Sequence, residues 1–152
     1  MRRKVLVVED DPDQLEVTRL SLKAAGFAIG TAANGVEALK KARTVSPDLI
    51  LLDVMMPGMD GFVVCETLRD DPATASIPVL MLTGLCSHIS QLVAFDAGAT
   101  DYLIKPFVPE ELVSKVENLL RRAERLQAYH KNPRRNISQP RKKSMPALSG
   151  GE

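Results

Sequence analysis

Two cysteines, two histidines and no tryptophan leave several chemistries without material. Cys65 and Cys86 match neither a disulfide framework nor a metal-ligand spacing; Cys65 reads as helix packing and Cys86 as incidental. His88 and His130 read as ordinary surface residues. No apolar run approaches the roughly 20 residues of a membrane span, so no membrane role is expected. The opening "MRRKVLVVEDD" starts as an export signal does, but its apolar stretch is only Val5 to Val8 before three acids. A cytoplasmic protein is expected. What remains is ordinary for one globular domain, with 45% apolar and 26% charged residues.

The net charge of +1 is unevenly spread. Residues 131–152 hold six basic side chains (Lys131, Arg134, Arg135, Arg141, Lys142 and Lys143) against Glu152 alone, whereas 1–130 hold 14 basic and 18 acidic ones. The body is mildly acidic and the tail basic. Beyond about Tyr129 the chain turns Pro-, Ser- and Arg-rich, as disordered segments do, so the expected division is a domain over 1–127 and a tail over 128–152. No aromatics interleave with the tail's basic residues, and a solvated segment is expected there. Contact with nucleic acid is expected to be weak at most and confined to this tail.

Five short apolar runs stand out: "KVLVV" (4–8), "FAIGTAA" (27–33), "DLILL" (48–52), "PVLMLT" (78–83) and "YLI" (102–104). Helical spacing fills the intervals. The first helix opens with Asp11 as cap and Pro12 at its first position, and Gly26 closes it. The next begins near Gly35, a third at Asp60-Gly61 and a fourth covers roughly 88–97. The last starts near Pro109 and follows Leu112, Val116, Leu119, Leu120, Ala123 and Leu126. Strict alternation of strand and helix predicts parallel βαβ units with right-handed crossovers. Continuous rather than alternating apolar runs predict strands buried on both faces. The run containing Gly30 is the poorest and is expected at an edge.

Polar groups end the well-defined strands: Glu9, Asp10 and Asp11, then Asp53, Thr83 and Lys105. A parallel sheet brings all carboxyl ends to one edge, where ligand crevices form. Several carboxylates brought that close repel one another unless they bind a proton or a cation. All candidate ligands are oxygens, which suits Mg²⁺ and not Zn²⁺. Lys105 is a point charge suited to phosphate, and the Thr83 hydroxyl can donate to a further oxygen. Asp53, the only acid on the third strand, is the natural nucleophile for chemistry that passes through an aspartyl phosphate. Asp11 reads as a helix cap rather than a ligand.

"VLVVEDDP", "PDLILLDVMMPGMDG", "IPVLMLTG" and "GATDYLIKPF", in this order, resemble the response-regulator receiver domain of two-component signalling over about residues 3–127. The resemblance implies a flavodoxin-like, doubly wound (βα)5 fold of the α/β class with sheet order 2-1-3-4-5. It implies that Asp53 accepts a phosphoryl group from a sensor histidine kinase or histidine phosphotransfer protein. Glu9, Asp10, Asp53 and the backbone carbonyl of Met55 would then hold Mg²⁺, and Thr83 and Lys105 would grip the phosphoryl group. Tyr102 would change rotamer on activation, and the Lys105–Pro106 peptide would be cis. The expected function is a phosphorylation-controlled interaction switch without an attached output domain. It is not an enzyme beyond promoting its own phosphorylation and dephosphorylation. It would be read by a downstream effector through the face of the fourth helix, fifth strand and fifth helix, with homodimerisation on phosphorylation a further expectation. The alternative is a scaffold of the same fold that is never phosphorylated.

Three residues depart from the family's usual pattern. Glu9 stands where aspartate is commoner. Gly84 stands where alanine or serine is usual, leaving less bulk over the phosphoryl group. Val108 replaces a capping Ser or Asp, a loss of roughly 1 kcal/mol, so the last helix is expected to fray at its start. Other functions lack parts: a haloacid-dehalogenase-like phosphatase needs an acid where Met55 stands, and a flavin carrier needs a phosphate loop where "EDDP" stands. If the carboxylates do crowd together, Asp53→Asn raises the melting temperature measured without Mg²⁺; a clear fall in that melt counts against clustering.

Overall fold

The computed structural model describes residues 2–84 and 88–131. Cys86 and the Pro-, Ser- and Arg-rich stretch from 132 onward lie outside the described residues. The apolar runs form five strands: β1 (Lys4–Val8), β2 (Ala28–Ala32), β3 (Leu49–Asp53), β4 (Val79–Thr83) and β5 (Asp101–Ile104). They alternate with α1 (Pro12–Ala24), α2 (Gly35–Val45), α3 (Gly61–Asp70), α4 (His88–Asp96) and α5 (Pro109–Lys131). All strand pairs are parallel, in the order β2-β1-β3-β4-β5. The Gly30-containing strand is at the edge, as expected, and most of it is only half-buried.

Each continuous apolar run is divided between two cores by the period-2 geometry of a strand. Val5, Val7, Leu49, Leu51, Leu80 and Leu82 point one way and pack with Leu22 of α1 and with Leu112, Val116, Leu119 and Leu120 of α5. Leu6, Val8, Ile50, Leu52, Val79 and Met81 point the other way. They meet Ala38 and Ala42 of α2, Val64, Cys65 and Leu68 of α3, and Ala94 of α4. Each fully buried Val, Leu or Ile contributes about 1.5–3 kcal/mol, an upper estimate because denatured chains are themselves partly compact. A charge anywhere in β1, β3 or β4 except at an end would forfeit this. Cys65 is fully buried, and its thiol is pushed up to about 11, chiefly by that burial.

Caps fix where helices begin. The Asp11 carboxylate accepts from the amides of Asp13 (2.9 Å) and Gln14 (3.4 Å). Asn34 accepts from Glu37 N–H (2.8 Å), and the Glu37 carboxylate accepts from Ala33 N–H (2.8 Å), one residue before the cap. Asp60 accepts from Val63 N–H at 3.0 Å. The expected fraying at Val108 is corrected: its N–H donates to the Glu111 carboxylate at 3.1 Å, and Pro109 supplies a helical first residue. Half of a capping box thus offsets the missing cap side chain.

Arg69, at the end of α3, donates to the carbonyls of Gly98 (2.9 Å), Ala75 (3.0 Å) and Ile77 (2.7 Å) and to Thr100 Oγ1 (3.3 Å). One guanidinium thereby ties the entrance of β4 to the turn between α4 and β5. Gly98 has φ +104°, and a Cβ there would lie 2.5 Å from Arg69 Cγ, so the turn needs glycine on both counts.

The described residues up to Leu120 form one compact unit, and those from Arg121 to Lys131 belong to a second. In the second, Leu126 and Tyr129 are exposed on α5, and the Tyr129 ring meets His130 edge-on. Among the described residues no helix is long and apolar enough to cross a membrane.

The loop after β3 is closed by backbone contact: Gly61 N–H donates to Val54 C=O at 2.9 Å. A Cβ on Gly61 would lie 2.6 Å from the Asp53 carbonyl oxygen and 2.7 Å from Val54 Cα, both backbone atoms that cannot swing aside. Gly61→Ala is therefore expected to lose about 1–3 kcal/mol in urea melts; an unchanged midpoint would show that the loop yields freely.

Candidate functional site

The register carries four strand ends to one edge. Val8 is opposite Leu52, Asp53 opposite Leu82 and Thr83 opposite Ile104. Backbone bonds continue just past the strands: Glu9 N–H to Ala32 C=O (3.0 Å), Val54 N–H to Leu82 C=O (3.1 Å) and Lys105 N–H to Thr83 C=O (2.7 Å). Side chains at positions 9, 53, 83 and 105 are thus held by sheet-like backbone rather than by free loops. Glu9, Asp53 and Thr83 are 5%, 4% and 1% exposed, which is unusual for two acids and a hydroxyl. Asp10 beside them is exposed.

One carboxylate oxygen from each of Glu9, Asp10 and Asp53 falls within 4.8 Å of the others. The Lys105 ammonium approaches from the β5 side, 3.3 Å from Glu9 Oε1 and 3.5 Å from Asp53 Oδ1. Its nearest acceptor is Gln14 Oε1 on α1, at 2.9 Å. Asp53 Oδ1 also accepts from Met55 N–H (3.3 Å), and Glu9 Oε2 from Asp11 N–H (3.3 Å). Asp11 caps α1 and is not among the three clustered acids. The Met55 side chain is largely exposed, so it is the backbone at this position that faces Asp53.

Thr83 is buried at the end of β4, and among the described residues a Cβ on the following Gly84 would meet nothing within 4 Å. Tyr102 is buried, in the core shared with α2, α3 and α4. The Lys105–Pro106 peptide is cis. Gln14 is the site neighbour that sequence reasoning missed; the available signal was its place in the first turn of α1, directly after the acidic strand end.

Three acids and one ammonium leave the cluster short of positive charge. The Glu9 carboxyl responds by rising from 4.5 to about 7, through burial first, then through its hydrogen bond to Asp53 and that group's charge; Lys105 and Asp11 N–H oppose the rise. The donor set is all oxygen, partly buried and crowded, which fits a hard divalent cation.

A pH dependence follows. Folded Glu9 keeps its proton up to about pH 7, whereas the unfolded residue loses it near 4.5. Between those values the folded chain holds more protons, so Glu9 makes folding less favourable as pH rises through this window. With divalent metals chelated, Glu9→Gln is expected to gain in melting temperature relative to wild type from pH 4.5 to 7. A constant difference across that range would contradict the raised carboxyl.

The chain matches the response regulator receiver domain over residues 5–117. It is 44% identical over 123 residues to the DNA-binding dual master transcriptional regulator RpaA of Synechocystis, covering 81% of this chain and 51% of that protein. It is 42% identical over 124 residues to the DNA-binding response regulator MtrA of Mycolicibacterium smegmatis, covering 82% and 53%. The chain thus spans about half the length of these relatives. Among solved structures it is similar to the chemotaxis protein CheY4 of Vibrio cholerae, with a TM-score of 0.75 and 36% identity over 78% of this chain and 98% of that one. The receiver domain of the Francisella response regulator 1452 gives a TM-score of 0.75 and 33% identity over 80% and 98%. Fold, strand-end acids and family match agree: the chain belongs to the response regulator receiver family of two-component systems.

Proposed function

We propose that the chain is a Mg²⁺-dependent phosphoryl acceptor at Asp53, charged by a histidine kinase or phosphotransfer protein and read out by protein binding. The observation that carries this reading is the convergence of Glu9, Asp10 and Asp53 within 4.8 Å, with Lys105 on the same group. A structural acid pair would need no third carboxylate and no lysine 3.5 Å from the nucleophile.

Glu9, Asp10 and Asp53, with the Met55 carbonyl, are the assigned ligands of Mg²⁺, which when bound supplies positive charge for both the carboxylates and the incoming phosphoryl oxygens. An Asp53 carboxylate oxygen attacks phosphorus in line, forming an O–P bond as the P–N bond to the donor imidazole breaks, and the electron pair leaves with the imidazole. Lys105 stabilises the charge on the transferred group, and the Thr83 hydroxyl donates to another of its oxygens. Burial of Asp53 leaves its carboxylate weakly hydrated, so little water must be stripped before attack. Return to the starting state is hydrolysis of the acyl phosphate, and the lack of a side chain at Gly84 supports ready access of water.

The readout is assigned to the face of α4 and β5 together with the body portion of α5, with Tyr102 as the residue that responds to the phosphoryl group. Exposed Leu92, Val93 and Phe95 on α4 and Ile104 on β5 support an apolar docking surface there. RpaA and MtrA are named as DNA-binding proteins, and the matched region is about half of each. The excess of acidic side chains over residues 1–130 disfavours contact with a polyanion through the body.

Incubation with acetyl phosphate and Mg²⁺, followed by intact mass, is the test. A phosphoryl adduct is expected that needs Mg²⁺ and disappears in Asp53→Asn. An adduct retained by Asp53→Asn moves the acceptor elsewhere. If there is no adduct after rapid quenching and no beryllofluoride binding, a scaffold that is never phosphorylated is left.

A further inference from the structure

The lysine that serves Asp53 has its shortest contact elsewhere. Lys105 Nζ lies 2.9 Å from Gln14 Oε1, against 3.3 Å to Glu9 Oε1 and 3.5 Å to Asp53 Oδ1. An ammonium has three protons to donate; the bonds to Gln14 Oε1 and Glu9 Oε1 use two of them, and Asp53 Oδ1 is held beside them as an ion pair. The Gln14 carboxamide is fixed from its other end, because Nε2 donates to Asp11 Oδ2 at 3.4 Å. Asp11 in turn is held by capping α1. A chain of contacts thus runs from the helix cap through Gln14 to the lysine.

We propose that Gln14 is a positioning residue for phosphoryl transfer: it draws the Lys105 ammonium toward α1 in the unphosphorylated protein and competes with the phosphoryl group for it. The inference rests on the reading of Asp53 as the phosphoryl acceptor. Once that group arrives on Asp53, the ammonium has a doubly charged partner there, and turning toward it lengthens its contact with α1. The neutral amide is the weakest competitor by charge, although it is the nearest by distance. A glutamine therefore holds the lysine in reserve without trapping it. A carboxylate at this position would surround one ammonium with three acids, and an apolar side chain would leave the ammonium to Glu9, Asp53 and water.

The surroundings permit both the movement and the substitutions. Gln14 and Lys105 line an open cavity of about 410 Å³ together with Glu9, Val17, Pro106 and Phe107. Neither side chain is wedged by packing, so Leu or Glu fits at position 14 without displacing the core.

Beryllofluoride binding in the presence of Mg²⁺, with Mg²⁺ binding alone as reference, separates the effects. Wild type, Gln14→Leu and Gln14→Glu are titrated by calorimetry, with melting temperatures recorded. Gln14→Leu is expected to bind beryllofluoride about threefold more tightly, the scale of one exposed charge-assisted contact, once any change in Mg²⁺ affinity is divided out, with melting temperature unchanged. Gln14→Glu is expected to bind it at least threefold more weakly once its own effect on Mg²⁺ affinity is divided out. A purely structural role for Gln14 would move both variants in the same direction, in step with their melting temperatures, and that result overturns the proposal. Three equal affinities overturn it as well, with Asp53 as acceptor left standing. No binding by wild type removes both readings together.

Discussion

Everything at this site depends on negative charge being forced together by the geometry of a parallel sheet. Strands that run the same way end on the same edge, so Glu9, Asp10 and Asp53 meet although more than forty residues separate the first pair from the third. Two of the three are almost fully buried, where water screens least. One ammonium, from Lys105, cannot balance them. Burial first, and the neighbouring Asp53 second, raise the Glu9 carboxyl. Under the proposed function, such a cluster is a receptor for a cation, and through it for a phosphoryl oxygen.

The rest of the fold makes that crowding tolerable. Two cores clamp β1, β3 and β4 from opposite faces, so the strand ends cannot splay apart to relieve repulsion. The strands themselves carry no charge until their ends; Asp53 is the last residue of β3. Immediately beyond it, the chain is held by Met55 N–H on the carboxylate and Gly61 N–H on Val54. Stability gained from dozens of buried apolar contacts thus offsets a local arrangement that is unfavourable by itself, a common relation between scaffold and site.

Much of this was legible in the sequence because it follows from the backbone. Apolar runs of five residues, their alternation with helical spacing, and polar residues at the run ends suffice to locate the sheet edge and the acids on it. Gly30 correctly marked an edge strand, and Asp11 was rightly read as a cap. What could not be read were side chains meeting across long stretches of chain. The contact of Lys105 with Gln14 spans 91 residues, and that of Arg69 with Thr100 spans 31. Neither follows from local periodicity, since glutamine and arginine on exposed helix turns usually face solvent. Val108 shows the opposite failure: a local rule was applied alone, while Glu111 three residues on carried the compensation.

A switch driven by one phosphoryl group has only its differential stabilisation of the two states to work with. The element that moves must therefore be weakly held, and the described side chains of α4 meet this condition. Among its described side chains it enters the core through alanine, at Ala94, with Ala97 and Ala99 following it, while its larger Leu92, Val93 and Phe95 side chains stay exposed. Burying alanine removes far less apolar area from water than burying leucine, so little is lost when the helix shifts. Its C-terminal turn is different, being fixed through Gly98 and Thr100 to Arg69 and thence to α3 and the entrance of β4. Motion should then be a pivot about the Gly98 end rather than detachment of the helix. In that geometry the apolar face of α4 changes its angle to Ile104 of β5 while the core beneath stays packed. Under the proposed function, this is how a change at a buried carboxylate reaches an exposed apolar surface.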